Sequence, residues 1–166
     1  MTAMTNIKDL KLHPDFPEKV WVVIEQPCRE PYRFYYDPVS DTFMRKTIKS
    51  LIFERGFSGA YGWIGGAGTP PAPHFDVLLI TGQNPSPGEV LEGYICGVFF
   101  RADGDHKFVA LDSALRYRVY KADLDLIDQE THAELMRLYP RIGENEGWFG
   151  AEVAKTFLKE NKPKSN

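Results

Sequence analysis

Between about residue 20 and residue 112 the chain is a succession of short runs rich in Val, Ile, Phe and Tyr: VWVVIEQP, YRFYYD, FMRKTI, FDVLLI, VLEGYICGVFF and KFVALD. Pro, Gly and Asp separate them. β-Branched and aromatic side chains pack well on a pleated surface and the separating residues favour turns, so these runs predict strands. No helix-length segment intervenes. A repeated strand–helix–strand plan is therefore disfavoured, and a closed or nearly closed barrel is expected. The tail changes period. In DQETHAELMRLYPRI the apolar Ala133, Leu135, Met136 and Tyr139 recur at three- and four-residue spacings until Pro140 interrupts them; in GWFGAEVAKTFLKENK Trp148, Ala151, Ala154, Phe157 and Leu158 repeat the pattern. The expected fold is mainly β (α+β), a barrel with two C-terminal amphipathic helices packed on it.

No repeat, linker or break in composition divides the 166 residues, so 1–166 reads as a single domain. A chain of this size buries about two thirds of the surface its unfolded form exposes. Residues 1–18, polar and holding Pro14 and Pro17, are expected to form an irregular arm, and residues 162–166 a frayed tail. The formal charge of −3 and pI near 5.8 provide no basic stripe, which argues against nucleic acid despite the aromatic residues of YRFYY and GYICGVFF. No run approaches the roughly 18 apolar residues of a membrane span, and MTAMTNIKDLKLHPDFPEKV lacks the apolar core of a secretory signal. A cytoplasmic protein is expected, with Cys28 and Cys96 as reduced thiols, since neither belongs to a CxxC pair.

Several residues invite a chemical reading, each beside a plainer one. RADGDHKF sets Asp103 and Asp105 two residues apart in a turn, with His106 and Lys107 adjacent. Paired carboxylates suit a hard cation such as Mg²⁺, and a solvated Asp-Gly hairpin turn explains the same residues. Glu25 ends an apolar run where a buried charge is costly without a partner. Arg33 is its simplest partner, and a strand-end charge pair is the alternative. Lys46 and Lys49 can hold phosphate or face solvent; Tyr61, in GAYGWIGGAG, can be site, core or turn.

Taken in order, VVIEQP, YRFYYD, AYGWI, FDVLL, PGEVLEGYICGV, ADGDHKFVA and LMRLYP make the stretch from about residue 18 to 158 resemble the family I soluble inorganic pyrophosphatases. An Ile-Glu-x-Pro strand, then Tyr-Gly-aromatic-Ile and, fifteen residues past Tyr61, Asp76 carry most of the weight. The resemblance implies a five-stranded closed barrel of OB-like topology with helices outside. It further implies hydrolysis of pyrophosphate, or a related phosphoanhydride, to two phosphates by means of several Mg²⁺ ions, and a homo-oligomer, commonly a hexamer in bacterial members. Carried over by position, Glu25, Asp76, Asp103 and Asp105 match metal-site acids, with Asp76 and Asp103 as the catalytic candidates. Lys107, Tyr61 and Tyr139 match phosphate-side residues. Arg33 stands where the family usually has lysine, and Lys46 roughly where it has arginine.

The departures are as informative. The family signature Asp-x-Asp-Pro-x-Asp falls on PAPHFD, where Pro71 and Pro73 replace two metal-binding aspartates and His74 replaces the proline. Proline supplies neither charge nor donor. Pro140 follows Tyr139 where a phosphate-binding lysine is common, and Glu92 and Tyr94 fall where basic residues are usual. Losing even outer partners of a metal site costs about 10- to 100-fold, so activity is expected to be weakened or shifted. His74 offers replacement chemistry: with Asp76, Asp103, Asp105 and His106 nearby in the family fold it would make a mixed nitrogen and oxygen site suited to Mn²⁺, Co²⁺ or Zn²⁺. A surface histidine is the simpler account. The alternative to a weakened enzyme is a non-catalytic descendant whose barrel binds an anionic ligand or a protein partner.

Overall fold

Apolar runs that do not alternate need cover on both faces, and the fold provides it. In a computed structural model that describes residues 6–115, 123–124 and 127–163, the elements are β1 (Lys19–Gln26), β2 (Tyr32–Asp37), β3 (Thr42–Lys49), α1 (Leu51–Glu54), β4 (Ala60–Ile64), β5 (Asp76–Ile80), β6 (Val90–Phe100), β7 (Lys107–Asp112), α2 (Gln129–Leu138), β8 (Gly147–Gly150) and α3 (Ala151–Glu160). Strands β1, β4, β5, β7 and β6 are hydrogen-bonded in that order, and β6 pairs back onto β1. This closes a five-stranded mixed barrel in which only β5 and β7 run parallel. β6 has eleven residues, enough to hold β1 along Val90–Tyr94 and β8 along Gly97–Phe100.

Successive residues of β5 serve opposite faces. Val77 and Leu79 join Val22, Ile24, Phe108 and Ala110 in one apolar cluster, which α3 covers with Ala154 and Leu158. Leu78 and Ile80 join Val109 and Leu111 in another, covered by Leu135 and Leu138 of α2. All five β5 residues are buried as a result. The two C-terminal helices thus pack on the barrel as expected. Asp128 caps α2 by accepting from the Thr131 amide at 2.9 Å, and the helix ends at Leu138, two residues before Pro140. Two details differ from the helical periodicity. Ala133 is exposed, and Trp148 pairs with Phe99 in β8, so that α3 begins only at Ala151.

The runs YRFYYD and FMRKTI are strands, yet among the described residues β2 and β3 pair only with each other, as a hairpin outside the barrel. β3 exposes every residue but Phe43, which packs against Tyr36 and Trp63. The barrel instead takes β4 from the glycine-rich AYGWI. Gly62 is the reason: a Cβ there would lie 1.8 Å from the Val23 carbonyl oxygen, so β1 and β4 can approach only over a glycine.

Gln26, 3% exposed, lashes the hairpin to the barrel. Its Nε2 donates to the carbonyls of Glu30 (3.2 Å) and Tyr32 (2.9 Å), and its Oε1 accepts from the Phe34 amide (2.8 Å). Removing it strands several buried polar groups, so Gln26→Ala is expected to lower stability by about 2–4 kcal/mol. Urea unfolding followed by tryptophan fluorescence measures this; a loss below about 0.5 kcal/mol would mean that water replaces the side chain without penalty.

Within the expected arm, Ile7–Asp9 form one 3-10 turn, and Ile7 and Leu10 pack against the cluster of Val23, Tyr36 and Trp63. Residues 1–5 of that arm and 164–166 of the expected tail lie outside the described residues. Cys28 and Cys96 are free and buried. Among the described residues no helix is long and apolar enough to cross a membrane.

Candidate active site

Asp76 opens β5 and Lys107 opens β7, and the parallel register makes them direct neighbours. Alternation turns both away from the Val77 and Phe108 cluster, toward the face that carries Leu78 and Val109. The Lys107 ammonium there lies 2.6 Å from Asp76 Oδ2, 3.1 Å from Asp105 Oδ2 and 3.3 Å from the Tyr61 hydroxyl. Asp76 and Lys107 are each 7% exposed. Glu25 joins this group through a bulge. Ile24 pairs with Gly62 and Gln26 with Tyr61, which leaves Glu25 outside the ladder between them. Bulges of this kind re-aim a side chain.

The charges in this group set one another. Burial opposes ionisation of Asp76, but the hydrogen bond from His74 and the Lys107 charge outweigh it and hold the carboxyl well below the usual carboxylate range. Asp105 moves the other way, raised by burial and by the Asp76 carboxylate beside it. Burial alone would lower the Lys107 pKa; Asp76 reverses this and raises it. Glu25 is pushed up to about 7, chiefly by burial, with Arg33 pulling against the rise. Burial and the charges of Asp76 and Glu25 raise the Tyr61 phenol well above its ordinary value.

His74 is held at both ring nitrogens. Nδ1 lies 2.8 Å from the Ala72 carbonyl oxygen and Nε2 lies 3.0 Å from Asp76 Oδ1. A carbonyl and an ionised carboxylate can only accept, so both nitrogens donate and the ring is an imidazolium. Its pKa is raised accordingly, burial being outweighed by the bond to Asp76. In this arrangement His74 is a counter-ion with no lone pair to offer a metal.

These residues open on a cavity of about 910 Å³ at the end of the barrel. Of the residues singled out in the sequence, Glu25, Arg33, Tyr61, His74, Asp76, Asp105, Lys107 and Tyr139 line it. Asp103 and Lys46 do not. Asp103 is folded back on its own turn, where Oδ1 accepts from the Asp105 amide at 2.9 Å and Oδ2 lies 3.4 Å from Arg101. Lys46 lies on the exposed β3, its ammonium 4.1 Å from the centre of the Tyr35 ring. Tyr139 is stacked on Phe99 at 4.3 Å between ring centres, immediately after α2.

The cavity also holds Arg55, Arg101, Arg141 and Glu146, which sequence reasoning did not single out. Arg101 precedes the Asp103–Asp105 turn by two residues and faces Asp105 at 3.5 Å, so its neighbourhood was the available signal. Nothing local marks Arg55, which donates to the Leu138 carbonyl across the fold. Glu146 binds the turn to the loop after α2 by accepting from the amides of Ala102 and Gly143, both at 3.0 Å.

Among the described residues no three His, Cys, Asp or Glu side chains gather as a group able to hold a metal. Two carboxylates, Asp76 and Asp105, do converge, with Lys107 between them. Mg²⁺ commonly binds through one or two carboxylates together with substrate phosphates. A cation shared with a phosphate ligand would fit these two carboxylates with the Lys107 ammonium displaced from between them, and among the described residues no cluster is held by protein alone.

No family model matches the sequence. Solved structures do match its fold. The inorganic pyrophosphatase from Neisseria gonorrhoeae aligns with a TM-score of 0.72 and 24% identity, over 94% of this chain and 96% of that one. The one from Ehrlichia chaffeensis aligns at 0.71 and 18% identity, over 91% and 97%. The one from Thermus thermophilus aligns at 0.69 and 19%, over 93% and 95%. A closed mixed barrel carrying two C-terminal helices is the class these share with the present chain. Over nearly its whole length, the chain has the fold of the inorganic pyrophosphatases.

Proposed function

We propose that this chain is an inorganic pyrophosphatase-like hydrolase that cleaves pyrophosphate, or a related phosphoanhydride, to two phosphates with a divalent cation. Its rate is reduced because Pro71 and Pro73 stand where two metal-binding aspartates are expected. The observation that carries this reading is the convergence of Asp76, Asp105 and Tyr61 on Lys107 beside a cavity rich in arginine. Arg33, Arg55, Arg101, Lys107 and Arg141 line that cavity against Glu25, Asp76, Asp105 and Glu146, and Glu25 is half-protonated near neutral pH. Guanidinium groups grip phosphate oxygens as a two-pronged fork, which suits a diphosphate.

A divalent cation would be held by Asp76 and Asp105 together with phosphate oxygens, where it would acidify a bound water and neutralise charge on the leaving phosphate. The chain's own groups supply the remainder. Lys107 and the arginines hold the phosphate oxygens in place, and the high-pKa Tyr61 hydroxyl donates to one of them. Glu25, poised near neutrality, accepts the proton that water gives up. Mg²⁺ is the expected ion; Mn²⁺, Co²⁺ or Zn²⁺ would gain a nitrogen ligand only if His74 released Asp76.

Orthophosphate release from pyrophosphate, measured with Mg²⁺ and then Mn²⁺, Co²⁺ and Zn²⁺, tests the proposal. Release is expected to require a cation and to fall by at least about 100-fold in Asp76→Asn and in Asp105→Asn. Binding without release under every cation would favour the second reading, a non-catalytic anion receptor. A cytoplasmic homo-oligomer, a hexamer by resemblance, accompanies the enzyme reading; sedimentation as a monomer would remove the hexamer from it.

A further inference from the structure

The cavity is larger and less polar than an inorganic diphosphate requires. Pockets of about 300–1,000 Å³ take drug-sized ligands, and this one, at about 910 Å³, lies near the top of that range. Its wall is mixed away from the barrel end, where Arg33, Arg55 and His74 stand among uncharged side chains. Glu25, Tyr61, Asp76 and Lys107 stand on barrel strands, whereas Tyr35, Pro38, Leu51, Ile52, Pro70 and Pro71 come from the β2–β3 hairpin, α1 and the loop before β5. None of these six carries a charge. Leu51 is 52% exposed there, an apolar side chain without cover. Tyr35 has the Lys46 ammonium over one face of its ring and donates from its hydroxyl to Met44 Sδ at 3.5 Å, so a stacked group takes the other face.

We infer that the preferred ligand is a diphosphate esterified to an aromatic organic group, of the nucleoside 5′-diphosphate type, and not bare pyrophosphate. This rests on the diphosphate-binding reading above. The two phosphates lie among Lys107 and the arginines of the wall, and the planar group lies on Tyr35 against Leu51, Pro70 and Pro71. Base-on-tyrosine stacking tolerates any base because each has a π face, so the class is set by planarity and not by base identity. In the hydrolytic step, water oxygen bonds to the terminal phosphorus and the bridging P–O bond breaks. The bond pair leaves with the nucleoside monophosphate, orthophosphate is released, and the proton of water passes to Glu25 and then to solvent.

Titration calorimetry with ADP, AMP and inorganic pyrophosphate, on the wild type, Tyr35→Leu and Leu51→Ala, tests the inference. ADP is expected to bind about tenfold tighter than pyrophosphate, the size of one base–aromatic stack, and AMP much more weakly than either. Tyr35→Leu and Leu51→Ala should each weaken ADP several-fold and leave pyrophosphate unchanged, which also shows that the variants are folded. Pyrophosphate binding as tightly as ADP, or both ligands weakening alike in Tyr35→Leu, would overturn the aromatic subsite while leaving diphosphate binding intact. Failure of ADP and pyrophosphate alike would overturn both readings.

Discussion

Lys107→Met is expected to cost the fold about 3–5 kcal/mol at pH 7, the range found when one member of a buried ion pair is removed. The ammonium is the shared partner of Asp76, Asp105 and the Tyr61 hydroxyl, and the Asp76–Lys107 contact of 2.6 Å is shielded, each side chain being 9% exposed. Without it, Asp76 keeps His74 as its cationic partner among the described residues and stands beside Asp105. The sign of the pH dependence follows from Asp76. Its folded pKa is depressed, so its contribution is present in full above the unfolded value of about 3.9 and is lost as pH falls through the lower folded value. In the variant, burial pushes the same carboxyl upward with the Lys107 charge no longer opposing it, and it takes a proton as the solution is acidified. The deficit should therefore be largest near pH 7 and shrink below about pH 4. Urea unfolding of both proteins across this range measures it. A second substitution, Asp76→Leu, should recover most of the loss, because an apolar pair replaces a buried ion pair at little net cost. A deficit independent of pH and not relieved by Asp76→Leu would mean that Lys107 acts through its packing and not through its charge.

How far the sequence foretold this arrangement depends on which physical signal each residue carries. β1, β5, β6 and β7 were legible because strands buried on one or both faces must be apolar, and their runs are. β4 was not, since Gly62 is placed by the close approach of Val23, and a glycine demanded by a neighbouring backbone reads locally like a turn. YRFYYD and FMRKTI have strand composition, but composition does not say whether a strand enters a barrel or leaves it. The same division runs through the site. Asp76, Asp105, Lys107 and Tyr61 line the cavity because of a register between β4, β5 and β7 that no local pattern encodes; the family resemblance supplied it. Asp103 was chosen for its spacing from Asp105, yet that spacing equally suits a side chain that caps its own turn, and this is what it does. Arg55 and Arg141 reach the cavity from α1's end and from the loop after α2, where an arginine looks like any solvated charge.

Glu25→Gln is expected to stabilise the protein by about 3 kcal/mol at pH 8 and by almost nothing at pH 4. Its carboxyl is raised from 4.5 to about 7, mainly by burial, among Arg33, His74, Asp76 and Lys107. Below about 4.5 the folded and unfolded chains both carry the proton, and the residue costs nothing. Between that value and about 7 the native state binds more protons than the unfolded state, so stability falls as pH rises through this window. Above it the penalty is complete: the rise from 4.5 to about 7, at about 1.4 kcal/mol per pH unit, gives the 3 kcal/mol that glutamine removes. Denaturation of wild type and Glu25→Gln at pH 4, 6 and 8, in the presence of a chelator, checks the sign; an equal gap at every pH would mean that Glu25 does not titrate near neutrality. An acid kept at a bulge where glutamine is expected to be more stable accords with the proton-accepting role proposed for it, since perturbed carboxyls collect where protons are moved. Glu25→Gln should accordingly gain stability and lose turnover together, and a variant gaining stability at pH 8 with undiminished phosphate release would separate Glu25 from the reaction.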